Sequence, residues 1–335
     1  MNNPRFAIVG GSSLLGKELR DVFEALPKAV DLKLIGAEEG ETVGLTEDAG
    51  EAVVVSPLDE ENLVGATVVI LAGSPDSTRR AWDLLALRKN RPFVIDLSGA
   101  LATVPGAQLR APSVEAAVFE VNRDAVQVIA HPAAVALAIL FRRLQGMAPV
   151  RRVVANAFVP ASELGNAGVD ELHRQTVSLF GFQDMPKQVF DEQVAFNMVA
   201  RWGEEASAGK LVDTERRIRG ELDTLVASAA GMPALSLRAI QTPVFHGLSF
   251  SLWMEFGEIL DPAAMEKQLR GDLVDVWDTE QGVPSNRSVA GEAGISVGDL
   301  RKDDSHPNAV WAWMVADNLR LRAANAIGAA RIWLS

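Results

Sequence analysis

A glycine-spaced turn near the start of the chain is the first pattern whose residue types could do chemistry. The apolar run at residues 6–9 leads into Gly10, Gly11, Ser12, Ser13, Leu14, Leu15 and Gly16, where a helical pattern begins. At such a strand-to-helix turn, backbone N–H groups and the helix N-terminus can hold a pyrophosphate. Ser13 takes the middle glycine position, where its Cβ could crowd a phosphate or a left-handed backbone. The alternative is a tight turn without any ligand, which needs the same glycines.

The end of the second predicted strand carries the next candidate contact. Residues 33–35 are followed by Gly36, Ala37, Glu38 and Glu39, close to the spacing of about 20 residues at which a ribose-binding carboxylate follows a dinucleotide turn. A carboxylate accepts from the 2′-hydroxyl of NAD and repels the 2′-phosphate of NADP. No arginine stands near this end in the sequence, so NAD is favoured over NADP as the cofactor. The alternative is two solvated glutamates. The candidate cofactor contacts are Gly10, Gly11, Ser12, Ser13, Leu14, Leu15, Gly16, Glu38, Gly73 and Ser98.

The histidines are the next candidates for chemistry, since imidazole exchanges protons near neutral pH. The sequence has four, at positions 131, 173, 246 and 306. His131 and His246 could meet in one cleft as acid and base. The alternative places His131 at a strand-to-helix turn and His246 in a loop. A solvated helix face is predicted for Asp170, Glu171, His173 and Arg174, and a polar loop for His306. No H-x-x-x-H or H-E-x-x-H pattern occurs, so no metal site is predicted.

The composition excludes several classes of function. The 335 residues contain no cysteine, which excludes disulfides, thiolate metal sites and cysteine-based covalent catalysis. The net charge of −12 without a basic run makes nucleic acid and anionic membranes poor partners. No apolar run reaches the ~18 residues of a membrane span, so the expected location is the cytoplasm. The length favours two domains.

The elements that must position the glycine turn form a repeating pattern in the first third of the chain. Buried strands are predicted at residues 6–9, 33–35, 52–55, 67–71 and 93–95, and helices at 14–26 and 78–89. Alternating strands and helices with right-handed crossovers give a parallel sheet covered on both faces, so the fold class is α/β with a Rossmann-like domain.

After residue 130 the pattern changes. Helices are predicted at 133–143 and 168–179, and strands at 151–159, 235–242, 248–256 and 310–315. The strands at 235–242 and 248–256 alternate in the manner of an antiparallel sheet. A last helix at 317–334 has no partner strand and is expected to pack back on the first domain.

Six short motifs follow one another along the chain, at residues 9–16, 94–100, 131–134, 193–197, 242–245 and 315–320. Their order resembles the aspartate-semialdehyde dehydrogenase family, in particular its Usg-1-like branch. The resemblance implies a Rossmann-like domain of residues 1–130 plus 316–335, completed by the C-terminal helix. It also implies an inserted α+β domain, residues 131–315, that holds catalytic groups and makes a homodimer. Enzymes of the family reduce an acyl phosphate with NADPH through a cysteine thioester.

The resemblance also locates the family's catalytic positions, and most of them carry other residue types here. The nucleophilic cysteine falls on Ala134, the orienting glutamine on Val159, and the catalytic histidine on Leu248. The two anion-binding arginines fall on Gln241 and Ala102. Glu215 and Arg217 stand where the family has a glutamate and a lysine that contact substrate. The pocket remnant therefore comprises Ala102, His131, Glu215, Arg217 and His246.

Two functions remain open from the sequence. The first is a homologue that has lost dehydrogenase catalysis and kept a dimeric binding or regulatory role. The second is an NAD(P)-dependent oxidoreductase that acts on an aldehyde or oxo group without a cysteine. The replacements are nearly all apolar, which favours the first. The homodimer is expected to form through the second domain, whose strands carry Trp253, Trp311 and Trp313; alternatively, these side chains lie within the core of one subunit.

Overall fold

The protein forms two compact units in a computed structural model. The first comprises Met1–Ala130 and Arg322–Ser335, and the second His131–Leu321. The structure describes residues 4–27, 30–37, 44–48, 51–116, 119–145, 147–205, 209–227 and 233–334. None of the helices in these ranges is both long enough and apolar enough to cross a membrane.

An eight-stranded sheet organises the first unit. Its strands are β1 (Arg5–Val9), β2 (Asp31–Ile35), β3 (Gly44–Asp48), β4 (Glu51–Ser56), β5 (Val68–Leu71), β6 (Phe93–Asp96), β7 (Gln108–Arg110) and β8 (Gln127–Ile129), in the order β3-β4-β2-β1-β5-β6-β8-β7. All neighbouring strands pair parallel except β3 and β4. The sequence pattern did not predict β3, which forms an antiparallel edge. The Rossmann-like prediction is confirmed.

Two helices of the first unit start at the carboxyl ends of neighbouring strands. They are α1 (Leu14–Glu24), which follows β1, and α2 (Pro75–Leu85), which follows β5. The chain runs from β1 to β2 on one side and returns to β5 on the other, so strand order reverses at β1. In open α/β sheets, ligands bind in the crevice at such a reversal. The sheet thus places the glycine turn where a dinucleotide would lie.

A six-stranded mixed sheet organises the second unit. Its strands are β9 (Val150–Val159), β10 (Ala234–Gln241), β11 (Leu248–Phe256), β12 (Val274–Val276), β13 (Ile295–Lys302) and β14 (Ala309–Ala316), in the order β10-β9-β11-β14-β13-β12. The helices are α3 (Pro132–Leu144), α4 (Gly165–Phe180), α5 (Leu211–Val226) and α6 (Pro262–Leu269); α7 (Asn318–Ala330) begins here and ends in the first unit. The antiparallel pairing expected for the strand at 235–242 was wrong, since β10 pairs parallel with β9. The helices α4 and α5 lie between these two strands in sequence and return the chain to the same end of the sheet.

The prediction that Glu171 lies on a solvated face of α4 was also wrong. His173, Asp170 and Arg174 are exposed, but Glu171 is fully buried. Its carboxylate accepts the backbone N–H groups of residues 188, 189 and 190 at 2.8, 2.8 and 3.0 Å. These three bonds satisfy the charge that burial would otherwise leave without a partner.

Candidate functional site

The glycines of the turn permit very close packing of the chain against itself. Gly10 has a φ of +88°, and a Cβ on it would lie 2.7 Å from the backbone nitrogen of Gly73. A Cβ on Gly16 would lie 2.1 Å from the carbonyl oxygen of Gly10, so α1 approaches the end of β1 only because residue 16 is glycine. This is the helix–strand packing that the third glycine of a dinucleotide-binding turn allows.

Ser13 does not adopt the left-handed backbone that its place in the glycine turn suggested, nor does its side chain point toward the expected phosphate position. Its φ is −68°, outside the left-handed region, and it is the N-cap of α1. The hydroxyl accepts the N–H of Gly16 at 2.9 Å and donates to the carbonyl oxygen of Ala72 at 3.0 Å, so it faces the protein. Within the described residues, the N–H groups of Ser12, Leu14 and Leu15 have no hydrogen-bond acceptor. Free N–H groups at a helix N-terminus fit a pyrophosphate.

An arginine lies at the end of β2, contrary to the premise behind the NAD preference. The guanidinium of Arg80, on α2, donates through Nη2 to the carbonyl oxygen of Ala37. The sequence concealed this neighbour because the two residues are 43 positions apart. Glu38, the predicted ribose contact, and Glu39 lie outside the described residues.

Ser98 belongs to a loop that a buried carboxylate organises. Asp96, fully buried at the end of β6, accepts the N–H and hydroxyl of Ser98, both at 2.7 Å. It also accepts the N–H groups of Gly99 and Leu101 at 3.1 and 2.8 Å. Ala102 follows on the exposed side of this loop. Asp96 was part of the motif at 94–100, but its anchoring role depends on burial that the sequence did not reveal.

Three of the positions that the resemblance assigns to catalysis form one row across the second sheet. Gln241 of β10 pairs with Val159 of β9. On the other side, Ser249 of β11 pairs with Phe158, which puts Leu248 level with Val159. All three side chains are at most 2% exposed, and Ala134 on α3 is fully buried. The sheet therefore assembles these positions, with buried side chains at each.

Gln241 directs its side chain into this row. Its Nε2 donates to the carbonyl oxygens of Val159 at 3.0 Å and Thr242 at 3.3 Å. The hydroxyl of Thr242 also donates to Val159 at 3.0 Å. Oε1 of Gln241 is buried and has no donor among the described residues. The amide thus ties the ends of β9 and β10 together, at the position that the resemblance assigns to a substrate-binding arginine.

His131 caps α3 with its imidazole. Its Nδ1 accepts the N–H of Ala133 at 3.1 Å, which places the proton of the neutral ring on Nε2. Nε2 lies 2.9 Å from Oε1 of Glu163, although without the alignment of a hydrogen bond. The backbone N–H of His131 donates to Oε2 of Glu221, whose Oε1 accepts from Nε of Arg217 at 2.7 Å. Both ring nitrogens therefore face protein groups, and the residue is only 1% exposed.

The remaining predicted pocket residues have separate surroundings. Oε2 of Glu215 accepts the N–H of Ala239 at 2.9 Å, which joins α5 to β10. His246 is exposed, and no described contact joins it to His131. Partial burial lowers the pKa of His246, and the carboxylate of Asp317 opposes this shift. Among the described residues, no cluster of three histidine, aspartate or glutamate side chains could hold a metal ion.

Sequence reasoning missed a polar group beside His131. Asn318, buried at the start of α7, donates to the hydroxyl of Ser162 at 3.1 Å and to Oε2 of Glu163 at 3.3 Å, and accepts the N–H of Gly247 at 3.0 Å. Asn318 belongs to the motif at 315–320, which indicated the family without indicating this contact. The network holds the loop before β11 close to the residues that follow β9.

Comparisons with known proteins agree with this arrangement. Residues 5–129 match the family domain described as semialdehyde dehydrogenase, NAD binding domain, and residues 142–321 match semialdehyde dehydrogenase, dimerisation domain. An aspartate-semialdehyde dehydrogenase of Rickettsia bellii is 26% identical over 95% of this chain and 94% of its own length. A USG-1 protein homologue of Pseudomonas aeruginosa is 30% identical with the same coverage. The solved structure of a probable aspartate-semialdehyde dehydrogenase from Pseudomonas aeruginosa superposes with a TM-score of 0.82 at 26% identity, covering 100% of this chain and 99% of that one.

Proposed function

The chain belongs to the semialdehyde dehydrogenase family. From this premise we propose that it has lost the family's thioester chemistry. We propose that it serves instead as a dimeric, dinucleotide-binding protein with a binding or regulatory role. The observation that carries the proposal is Ala134. A methyl group occupies the third residue of α3, where a thiolate would gain from the helix N-terminus, and the sequence contains no cysteine to replace it.

The surroundings of Ala134 support the same proposal. A pocket that still bound an acyl phosphate would need cationic and hydrogen-bonding groups at its wall. Val159 and Leu248 offer only hydrocarbon, and Gln241 directs its amide donors to strand carbonyls. Removing only the nucleophile of a covalent enzyme typically lowers its rate by about 10⁴–10⁶-fold. Here the orienting, proton-transferring and anion-binding positions have changed with it.

A cysteine-independent oxidoreductase would need an acid or base that can reach a substrate. His131 is the titratable group closest in sequence to Ala134, but its Nδ1 caps α3 and its Nε2 faces Glu163. His246 is exposed and does not contact it. We therefore favour the loss of catalysis over a new mechanism.

Restoring the nucleophile tests this proposal. Ala134→Cys places a thiol at the start of α3, and we expect no measurable aspartate-semialdehyde dehydrogenase activity because its catalytic partners are absent. Ala136→Cys changes a buried alanine two residues further along α3 and is the matched control for the effect of a thiol on folding. Robust turnover by Ala134→Cys would show that the surrounding pocket is competent and would contradict the proposal.

We propose that the glycine turn still binds a nicotinamide dinucleotide. The free N–H groups of Ser12, Leu14 and Leu15 at the start of α1 support it. When bound, the cofactor would supply a hydride acceptor or donor, and the turn would hold its pyrophosphate. A thermal-shift series with NAD, NADP and their reduced forms tests this, because a ligand of the native state raises the unfolding temperature. No shift with any of the four at millimolar concentration would contradict it.

The outer face of the second sheet is our candidate for the homodimer interface. Val154 pairs with Trp253, which pairs with Trp311, and the rings of Phe158 and Trp313 lie 5.8 Å apart. Val154 is 40% exposed, and the three tryptophans are only partly buried in the single chain. The matched family domain is described as a dimerisation domain, which makes a second copy the expected occupant. A symmetric contact would bury this apolar patch on both chains.

Light scattering at micromolar concentration tests the interface. We expect the mass of two chains for the wild type and of one chain for Val154→Arg, since a charge at the centre of an apolar interface lacks a partner. Val177→Arg is the matched control, because this valine is 54% exposed on α4, away from the sheet face. A wild-type mass of one chain, or dissociation by Val177→Arg alone, would contradict the assignment.

A further inference from the structure

Five apolar side chains at and after the end of α4 are exposed to solvent. Val177 and Phe180 lie about one turn apart on the same face of α4, and Phe182 follows the helix directly. The segment after α4 adds Phe196 and Met198, and each of the five is more than half exposed. The rings of Phe180 and Phe196 lie 5.8 Å apart and nearly perpendicular, so the two segments share one surface. We call these five residues the phenylalanine patch.

Phe182 occupies a backbone position that usually belongs to glycine. Its φ is +50°, and it follows Gly181, the C-cap of α4. The N–H of Gln183 donates to the carbonyl oxygen of Ser178 at 2.9 Å and the N–H of Phe182 to that of Leu179 at 3.4 Å, which is the pairing of a Schellman motif. Glycine is preferred at this place because a side chain in left-handed backbone is strained.

This strain brings Phe182 no burial within the single chain. Its side chain is 98% exposed, so it contributes almost no hydrophobic stabilisation in return. Phe196 repeats the combination, with a φ of +57° and a largely exposed ring. Residues in strained backbone conformations concentrate at functional sites, where another interaction compensates for the strain. Two strained, solvated phenylalanines on one surface therefore point to an occupant of that surface.

The area of the phenylalanine patch indicates what can cover it. A whole aromatic side chain offers about 150–250 Å², so the three phenylalanines together expose roughly 350–600 Å². This matches the largest apolar patch of a typical monomer, about 300–600 Å², and such patches are often functional. Two such patches in contact would bury roughly 700–1,200 Å² from these rings alone, which is the size of a weak protein–protein interface.

The ring geometry suits a second copy of the same patch. The perpendicular pair of Phe180 and Phe196 presents a ring face beside a ring edge, and aromatic rings prefer to meet face with edge. In a two-fold contact the same patch serves both chains, so the protruding Phe182 of each copy would lie against this pair on the other.

The charges around the phenylalanine patch also permit contact between two copies. From one turn before Val177 to Met198, the exposed charged residues are two of each sign. They are Arg174, Lys187, Asp184 and Glu192. The whole chain carries −12, so two copies repel each other at a distance although their patches are locally balanced.

We propose that two copies of the chain associate through the phenylalanine patch in a weak, symmetric contact that forms only above micromolar concentration. This contact is separate from the outer face of the second sheet and from the glycine turn. A chain that is already dimeric through the sheet face would form a four-chain assembly by this route.

Sedimentation equilibrium over a range from about 5 to 500 µM tests the proposal on the full-length protein. We expect the mean wild-type mass to rise from two chains towards four. Added salt should strengthen this association, because it screens the repulsion between the acidic chains. Phe182→Gly should weaken the association at least tenfold. Its unfolding temperature, measured at low concentration, should equal or exceed that of the wild type, because glycine adopts this backbone without strain.

Two further variants define the contact. Phe196→Asn removes the second strained ring, and asparagine tolerates a positive φ, so it should weaken the association as Phe182→Gly does. Leu87→Ser is the matched control, because Leu87 is also an almost fully exposed apolar side chain but lies just after α2 in the first unit. It should leave the association within twofold of the wild type.

Val154→Arg separates this contact from the proposed sheet contact. Over the same concentrations its mass should rise from one chain towards two, and Val154→Arg combined with Phe182→Gly should stay at one. A wild-type mass that does not rise with concentration would overturn the inference and leave the sheet dimer intact. A rise that persists in both Phe182→Gly and Phe196→Asn, or one that Leu87→Ser also removes, would overturn it as well.

Discussion

Replacing Glu171 by glutamine is expected to destabilise the second unit by about 4 kcal/mol, because one buried carboxylate holds a segment without helix or strand. Oε2 accepts the N–H groups of Gln188 and Val189, and Oε1 accepts that of Phe190. The glutamine is isosteric, so the change removes charge without leaving a cavity. Its carbonyl oxygen can keep the two bonds made by Oε2, while its NH₂ group must face the N–H of Phe190.

The magnitude follows from these three bonds. A hydrogen bond to a charged acceptor contributes about 1.5–3 kcal/mol and one to a neutral acceptor about 0.5–1.5, so each retained bond weakens by about 1 kcal/mol. The N–H of Phe190 loses its acceptor while buried, which costs about 1–3 kcal/mol. For a unit of this size, the resulting loss lowers the unfolding temperature by roughly 8–16 °C.

Calorimetric unfolding and hydrogen exchange together test this prediction. We expect the lower unfolding temperature to accompany faster exchange confined to residues 186–195 and the end of α4. Asp170→Asn changes the adjacent, exposed carboxylate and should stay within about 0.5 kcal/mol of the wild type. A loss below 1 kcal/mol for Glu171→Gln, or an equal loss for Asp170→Asn, would refute the reasoning.

Three further changes have defined outcomes. Gly16→Ala places a Cβ 2.1 Å from the carbonyl oxygen of Gly10 and should lower the free energy of unfolding, measured by denaturant titration, by more than about 2 kcal/mol. Gly220→Ala is the control: its Cβ would have open space within 4 Å, and it should raise the free energy of unfolding by about 0.5–1 kcal/mol. Backbone and indole N–H donors lower the pKa of Asp303 to about 2 from its ordinary value of 3.8. The stabilisation that the charged carboxylate gives is therefore complete above pH 3.8 and is lost as the pH falls through 2. Tryptophan fluorescence should report this transition, and Asp303→Asn should remove it. Val154→Glu should yield the mass of one chain in light scattering, as is expected for Val154→Arg, and a dimeric Val154→Glu would argue against burial at that position.

Much of the fold could be predicted from the sequence because its signals are local. The apolar runs of β1, β5 and β6 and the glycine spacing at residues 10–16 each lie within one short segment. The motifs also assign catalytic positions to Val159, Gln241 and Leu248, and the sheet places these three residues in one row. Their catalytic assignment stays a prediction.

The features that the sequence did not reveal depend on contacts between distant segments. Arg80 meets Ala37 across 43 positions, and Glu221 meets His131 across 90. The burial of Glu171 was missed for a different reason. Its helix face is polar in composition, yet Glu171 shares with Leu172 and Gln175 a stripe that is buried by the segment after α4. Charge pattern alone cannot distinguish a solvated glutamate from one that accepts backbone N–H groups.

The most direct test of the central claim is a turnover assay of the unmodified protein with aspartate semialdehyde, phosphate and either NADP or NAD. Formation of the reduced nucleotide is followed by absorbance, and a catalytically active family member is assayed at the same concentration. The proposed loss of the nucleophile and its partners predicts a rate at least about 10⁴-fold below that enzyme. Phosphate-dependent turnover within a hundredfold of it would contradict the account, because Ala134 cannot form the thioester.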